Sequence, residues 1–356
     1  MVHAPSRPLP GMPPVRVNLY SDTQTRPSAA MKEAMMVAET GDEQGGLDPT
    51  IDELCDRMAA LLGTEAAVFL PSGTMCNQIA MLVHCVPGDA ILAHKTAHIL
   101  TSEGGGAAAL AGAQIMPMEG EGGQYTPETL RAAIWQPSRH APPQTLVAVE
   151  QTANLGGGTV WKRDTLREIA EIAHAHGMGT HMDGARLLNA TVASGIAPSD
   201  MVAGYDSVWL DFTKGLGAPL GAVLCGSAAF IDKAWRWKQR LGGALRQGGI
   251  CAAACLYALD HNVDRLAEDH TNAATLARGL AQMPGITVQM PQTNLVFFDT
   301  SGTGRTASEI ATDLRHHGVM VSTMGAYRGR ACTHLDVDAA GITEALEVFR
   351  TVLKEK

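Results

Sequence analysis

The sequence predicts an α/β fold, with a large domain built on a mostly parallel sheet covered by helices and a smaller C-terminal α+β domain. Three observations predict it. Short apolar runs recur from about Ala66, segments of helical period separate them, and the pattern changes after about Asp260. Runs that are apolar throughout suit strands buried on both faces, and their alternation with helices marks parallel βαβ units.

Candidate strands cover residues 66–70, 90–93, 114–118, 145–149, 179–182, 207–212 and 222–225. Between them Met75, Ile79, Leu82, Val83 and Val86 fall at helical spacing, as do Leu166, Ile169, Ala170 and Ala173 before a terminating Gly177. Beyond Asp260 a long amphipathic helix precedes short strands near residues 286–290 and 295–299 and further helices. The first 50 residues hold Asp, Gly and Pro turns but little periodicity, so they are expected to form an arm that packs elsewhere, a partner subunit included. The expected division is an extension over residues 1–17, arm and large domain over 18–260, and small domain over 261–356.

Composition narrows the function classes. A hydrophobic share of 46% over 356 residues supplies a substantial core. The net charge of -9 comes with no Lys/Arg cluster interleaved with aromatics, which excludes a nucleic-acid footprint. Seven cysteines, scattered and odd in number, read as reduced core residues and point to a cytoplasmic setting. Met1 to Pro14 is Pro-rich and lacks the features of an export signal, and no apolar stretch is long enough to span a membrane. No metal site is expected.

Three local features carry chemistry. Lys214 ends an apolar strand inside Thr213-Lys214-Gly215-Leu216-Gly217, at the sheet end where open α/β folds bind ligands. Partial desolvation there would make its amine a nucleophile towards an aldehyde, whereas the bland alternative is a surface lysine in a Gly-rich loop. Asp183 ends the preceding strand in Thr180-His181-Met182-Asp183-Gly184-Ala185-Arg186. It reads as a plain Asp-Gly turn or as the partner of a protonated pyridine nitrogen. Ser72-Gly73-Thr74 joins a strand to a helix, so it is either an ordinary cap or a phosphate cradle of free N–H groups and hydroxyls. Their joint occurrence, in this order, is more specific than any one of them.

These motifs resemble the threonine aldolase family of fold type I pyridoxal-phosphate enzymes, within the aromatic amino acid β-eliminating lyase/threonine aldolase group. The resemblance runs from Asn18 to the end of the chain. It also includes Ser21-Asp22-Thr23, Ala97-His98, the Glu103 to Ala108 stretch, Gly242 to Gln247 and Arg330 to Val337. It implies pyridoxal 5'-phosphate as cofactor, Lys214 as the Schiff-base lysine, Asp183 as the ring-nitrogen partner, and Ser72, Gly73 and Thr74 at the phosphate. Ser21, Arg186 and Arg330 match carboxylate-gripping positions, which suits the planar guanidinium. Arg186 also belongs to the cofactor-binding set, and Arg246 matches a position at the phosphate across a subunit interface, with a surface ion pair as its alternative. His98 aligns with a residue that stacks on the cofactor ring and activates the β-hydroxyl, and His140 with a second histidine near that hydroxyl. His181 and His334 read as satisfied interior groups.

The chain departs from the family where Gly-Asp-Asp-Val-Tyr-Gly is usual and Gly41-Asp42-Glu43-Gln44-Gly45-Gly46 stands instead, so Gly45 replaces a pocket tyrosine. Glu150-Gln151-Thr152-Ala153-Asn154 and Asp211-Phe212-Thr213 are also unusual. The implied reaction is cleavage of β-hydroxy-α-amino acids (threonine, allo-threonine, phenylserine-like substrates) to glycine and an aldehyde, by a homotetramer built as a dimer of dimers. The alternatives are a β-eliminating lyase, dehydratase or transaldolase on the same scaffold, a cofactor-binding regulator, and a nucleotide-binding oxidoreductase based on the glycines at 104–106.

Overall fold

The structure is a computed structural model that describes residues 11–354. Two compact units divide the chain at Arg26/Pro27 and Val263/Asp264. In the larger one, residues 27–263, seven strands form a single sheet. They are β2 (Ala66–Leu70), β3 (Ala90–His94), β4 (Gln114–Met118), β5 (Gln144–Glu150), β6 (Gly179–Gly184), β7 (Ser207–Asp211) and β8 (Ala222–Gly226), and β1 (Val17–Asn18) belongs to the other unit. The sheet order is β2-β8-β7-β6-β5-β3-β4, parallel except for β8, which runs antiparallel to both neighbours. The strand positions expected from the sequence agree to within one or two residues at each end.

Burial explains the continuous apolar runs, since every residue of β3, β7 and β8 is buried. Crossover helices supply the covering layers. Gly73–His84 places Cys76, Ile79 and Ala80 in a core cluster with Val68, Leu70, Trp209 and Leu224, while its Met81 joins a second cluster with Ile91, Ala93 and Leu146. The Arg163–Ala175 helix buries Leu166, Ile169, Ala170, Ile172 and Ala173 and stops at Gly177, whose φ of 73° suits a residue without a Cβ.

In the smaller unit β9 (Thr287–Gln289), β10 (Leu295–Asp299), β12 (Ser322–Thr323) and β13 (Arg328–Cys332) form an antiparallel sheet in the order β12-β13-β10-β9. A separate parallel pair joins β1 to β11 (Val319–Met320). The core of this unit gathers Val17, Leu19, Leu276, Val296, Phe298, Ile310, Leu346 and Phe349. The expected N-terminal arm is thus divided by the structure. Val17 and Leu19 are core residues of the C-terminal unit, whereas the Ala29–Met36 helix lies in the larger one with Met31 fully buried and Met36 exposed. Among the described residues no helix is long and apolar enough to cross a membrane.

Candidate active site

Sheet register assembles the candidate residues of the larger unit. Glu150 is paired with Asp183 across β5 and β6, and Asp183 with Trp209 across β6 and β7, so the acids stand side by side at the carboxyl ends of parallel strands. Lys214 follows β7 by three residues and its Nζ is ion-paired with Asp211, the last residue of that strand. The ammonium also lies 5.6 Å from the centroid of the Trp209 ring.

Asp183 is buried, and its carboxylate accepts from Asn77 Nδ2 at 2.8 Å and from the Ala185 N–H at 3.0 Å. Burial pushes its pKa up; His98, the Asn77 bond and Lys214 counter that push, while the Glu103 charge adds to it. Glu103 accepts from His98 Nδ1 at 2.8 Å, Asn77 Nδ2 at 2.7 Å and Gln78 Nε2 at 2.5 Å. For His98 burial opposes the charged form, but the Glu103 bond and the charges of Asp183, Glu103 and Glu150 outweigh it and hold the imidazole above its ordinary value. Glu150 accepts the backbone N–H groups of His98 and Asn154 at 2.7 and 2.6 Å. Burial, with Asp183 beside it, still pushes Glu150 up to about 7.

The Gly73–His84 helix begins beside these groups. Ser72 caps it, its Oγ accepting from Met75 N at 3.2 Å, and helix geometry leaves the N–H groups of Gly73 and Thr74 without intrahelical partners. A Cβ at residue 73 would meet the Trp209 indole at 2.1 Å, so only glycine lets the helix start lie on that ring.

Arg186 is buried just before the Leu187–Ser194 helix, and its backbone N–H donates to the Gln151 carbonyl at 3.1 Å. Arg246 is exposed and ion-paired with Asp42 at 3.0 Å, which is the surface-pair alternative within its own chain. Gly45 is exposed in the turn that follows, and a Cβ there would meet Leu47 at 3.4 Å and otherwise face open space. Beneath that turn the Glu43 carboxylate pairs with the fully buried Lys238 and accepts the Leu245 N–H at 2.7 Å.

In the smaller unit Arg330 is buried on β13, its Nε donating to Ser322 Oγ at 3.2 Å and its Nη2 to the Tyr20 carbonyl at 3.4 Å. Ser21, next to Tyr20, is buried and its Oγ accepts from the Thr23 N–H at 3.2 Å.

Within its own chain His140 is not brought to these residues. His140 is exposed in the loop that leads into β5, at the amino end of the strand whose carboxyl end carries Glu150. A strand of seven residues at about 3.3 Å each separates the two ends, so within its own chain His140 cannot reach what His98 reaches. The glycines at 104–106 follow a short helix, His98–Thr101, instead of a strand, so they lack the context of a dinucleotide fingerprint.

Sequence reasoning gave no role to Asn77, Glu103, Glu150, Trp209 or Asp211. A signal existed for two of them: Glu150 and Asp211 are acids at the ends of apolar strands, the feature that singled out Asp183.

The donor set fits pyridoxal phosphate. It offers a helix start with free N–H groups under a glycine cradle, a buried carboxylate supported by an amide donor, and an amine three residues past the next strand. His98, Glu103 and Asp183 present ligand atoms within 4.8 Å of one another and could also bracket a cation. The Asn77 and Gln78 amides point N–H groups into that same space, which suits carboxylates awaiting donors better than a metal.

Comparisons with known proteins agree with this geometry. A profile of the beta-eliminating lyase family matches residues 18–303. The chain is 38% identical over 344 residues to low-specificity L-threonine aldolase 1 of Arabidopsis thaliana, covering 95% of this chain and 96% of that protein. It is likewise 38% identical over 338 residues to the low specificity L-threonine aldolase of Escherichia coli K12, covering 95% and 99%. The solved threonine aldolase of Leishmania major shares the fold, with a TM-score of 0.82, 21% identity and coverage of 95% of this chain and 99% of that one. The chain therefore belongs to the beta-eliminating lyase family, in its threonine aldolase group of fold type I, and is a pyridoxal-phosphate-dependent lyase.

Proposed function

We propose that this lyase cleaves β-hydroxy-α-amino acids to glycine and an aldehyde, with threonine, allo-threonine and bulkier β-substituted analogues as substrates. The observation that carries the reading is the grouping of Asp183, Lys214 and His98 around one strand end, with His98 fixed by Glu103. When bound, pyridoxal phosphate supplies the electron sink that receives the pair released as the Cα–Cβ bond breaks.

The chain's own residues do the rest. Lys214 would hold the cofactor's aldehyde carbon, Asp183 would pair with its ring nitrogen, and Ser72, Gly73 and Thr74 would take its phosphate. Arg186 and Arg330, with Ser21, are assigned to the substrate carboxylate, and orienting that group selects which bond to Cα breaks. His98 is assigned as the base for the β-hydroxyl. Glu103 occupies its Nδ1, so Nε2 is the atom left to take the proton. His140 receives no role in its own chain, and Arg246 is kept as a phosphate residue only towards a second subunit.

A homotetramer, built as a dimer of dimers, is part of the proposal. Met36, Val37 and Leu47 are 84%, 77% and 69% exposed, apolar surface that a second copy would cover. Seven free cysteines, five of them buried, suit a reducing cytoplasm. Borohydride reduction of the holoenzyme followed by peptide mapping tests the lysine, and product analysis tests the reaction. An adduct on any lysine but Lys214 refutes the assignment, and a keto acid with ammonia in place of glycine would turn the reading to β-elimination or dehydration.

A further inference from the structure

Behind Asp183 a line of side chains, buried except for the half-buried His84 at its far end, runs between the sheet and the Gly73–His84 helix towards the amino ends of the strands. Asn77 is fully buried and uses both ends of its amide. Its Nδ2 donates to Asp183 Oδ2 at 2.8 Å and Glu103 Oε1 at 2.7 Å, and its Oδ1 accepts from Trp209 Nε1 at 2.7 Å and lies 3.0 Å from His181 Nε2. Indole nitrogen only donates, and ionised carboxylates only accept. The amide orientation is therefore settled by its partners: turned over, it would set oxygen against two acids and nitrogen against an indole N–H.

That orientation dictates the next links. With Asn77 Oδ1 as acceptor, His181 Nε2 must carry the proton. His181 is 1% exposed and burial lowers its pKa to about 3, so the ring is neutral and its Nδ1 is bare. Ser207 Oγ, 2.8 Å from that Nδ1, must then donate to it, and the same oxygen accepts from His84 Nε2 at 2.8 Å. Burial lowers His84 to about 4, so this ring is neutral as well. Every hydrogen in the series His84, Ser207, His181, Asn77 points the same way, towards Asp183.

We propose that His181 is a positioning residue which, through Asn77, holds the Asp183 carboxylate in place and favours its ionised form. The proposal rests on the assignment of Asp183 to the cofactor ring nitrogen. Its effect is one of aligned dipoles: each donor polarises the next, and the last N–H faces the carboxylate. Asn77 also ties Asp183 to Glu103, so the ring-nitrogen partner and the residue that orients His98 are set by one amide. The charged and titratable groups facing Asp183 are His98, Glu103, Glu150, Lys214 and Cys76; those facing His84 are Asp206, Lys233 and His181. The donors at Asn77 Oδ1 are His181 Nε2 and Trp209 Nε1, so His181 is the titratable one among them.

The experiment measures cofactor retention in purified holoenzyme, by equilibrium dialysis across pH, for wild type and three variants. His181→Phe keeps the ring's shape but donates nothing, and His181→Gln places an N–H near the Nε2 position. His181→Phe is expected to weaken cofactor binding by roughly three- to tenfold. It should also raise the pH at which cofactor is lost on acidification, because a less supported carboxylate protonates sooner. His181→Gln should restore both to within about twofold of wild type. Wild-type behaviour of His181→Phe, or equal damage in His181→Gln, overturns the proposal. Asp183→Asn is the benchmark: wild-type retention there would refute the role of Asp183, a failure distinct from that of His181. Solid-state 15N spectra of histidine-labelled wild-type holoenzyme, assigned by difference against His181→Phe, give an independent answer that needs no variant to be fully stable. A neutral ring protonated at Nε2 supports the series, and protonation at Nδ1 or a charged ring refutes it.

Discussion

Gly73→Ala tests whether the phosphate cradle depends on close approach to Trp209. The new methyl would lie 2.1 Å from Trp209 Cη2 and 2.3 Å from Cζ3, well inside contact distance. Trp209 cannot simply withdraw, being 2% exposed and bound through Nε1 to Asn77 Oδ1 at 2.7 Å. Overpacking of this kind costs about 1–3 kcal/mol, and losing the indole bond adds about 0.5–1.5 kcal/mol. Alanine recovers about 1 kcal/mol through its better helix propensity. The net loss of about 1–3 kcal/mol should lower the melting temperature by roughly 3–10 °C for a unit of this size. Relief by retreat of the helix start would move the Gly73 and Thr74 N–H groups and weaken cofactor binding at least about tenfold. Calorimetry and equilibrium dialysis read the two effects. Ser72→Ala is the comparison for stability, since it removes the cap to Met75 N, worth about 1 kcal/mol, and a hydroxyl assigned to the phosphate while leaving the Trp209 contact untouched. Wild-type melting and cofactor affinity in Gly73→Ala would refute the reasoning.

Three further outcomes are expected. Glu103→Gln removes a bond that holds the His98 pKa up; since the base works unprotonated, the acid limb of kcat/KM should move to lower pH, and an unmoved limb would remove His98 from that limb. Arg330→Lys should raise KM for the amino acid about ten- to a hundredfold, since a point charge cannot reproduce a guanidinium fork, while cofactor affinity stays at the wild-type value. Gly45 in place of the usual tyrosine leaves open space, so phenylserine-like substrates should show higher kcat/KM than threonine, and Gly45→Tyr should move the ratio back towards threonine. Because the new side chain would leave its own chain's surface, an unchanged ratio in the variant would show that no neighbouring subunit brings a pocket to it.

Much of the site was legible because its residues stand at local punctuation. Asp183 stands at the end of an apolar strand, Lys214 three residues past the end of the next, and Ser72 to Thr74 start a helix, and these signals need only a few neighbouring letters. The supporting residues were not legible in that way. Asn77 meets Glu103 across 26 positions, Asp183 across 106 and Trp209 across 132, so its importance exists only once the sheet is assembled. His140 illustrates a related limit: a motif-like match does not say at which end of a strand a loop emerges, and within its own chain this one lies at the amino end of β5. The antiparallel direction of β8 and the division of the N-terminal arm are likewise products of tertiary packing, because β1 is two residues long and is stabilised by β11, some 300 positions away.

The Glu43–Lys238 pair has a consequence for redesign. Its carboxylate also holds the Leu245 N–H, the Glu43 N–H donates to the Arg246 carbonyl at 2.9 Å, and Gln44 Nε2 reaches the Leu245 carbonyl at 3.2 Å. Two segments two hundred positions apart in sequence therefore behave mechanically as one plate, riveted at a charge that water does not reach. Exchanging the Gly45 turn for one without a carboxylate at position 43 would strand Lys238 as an unpaired buried cation, a loss of about 3–5 kcal/mol. A library that varies both segments together should therefore yield folded proteins where single-loop exchanges that lose the Glu43 carboxylate do not.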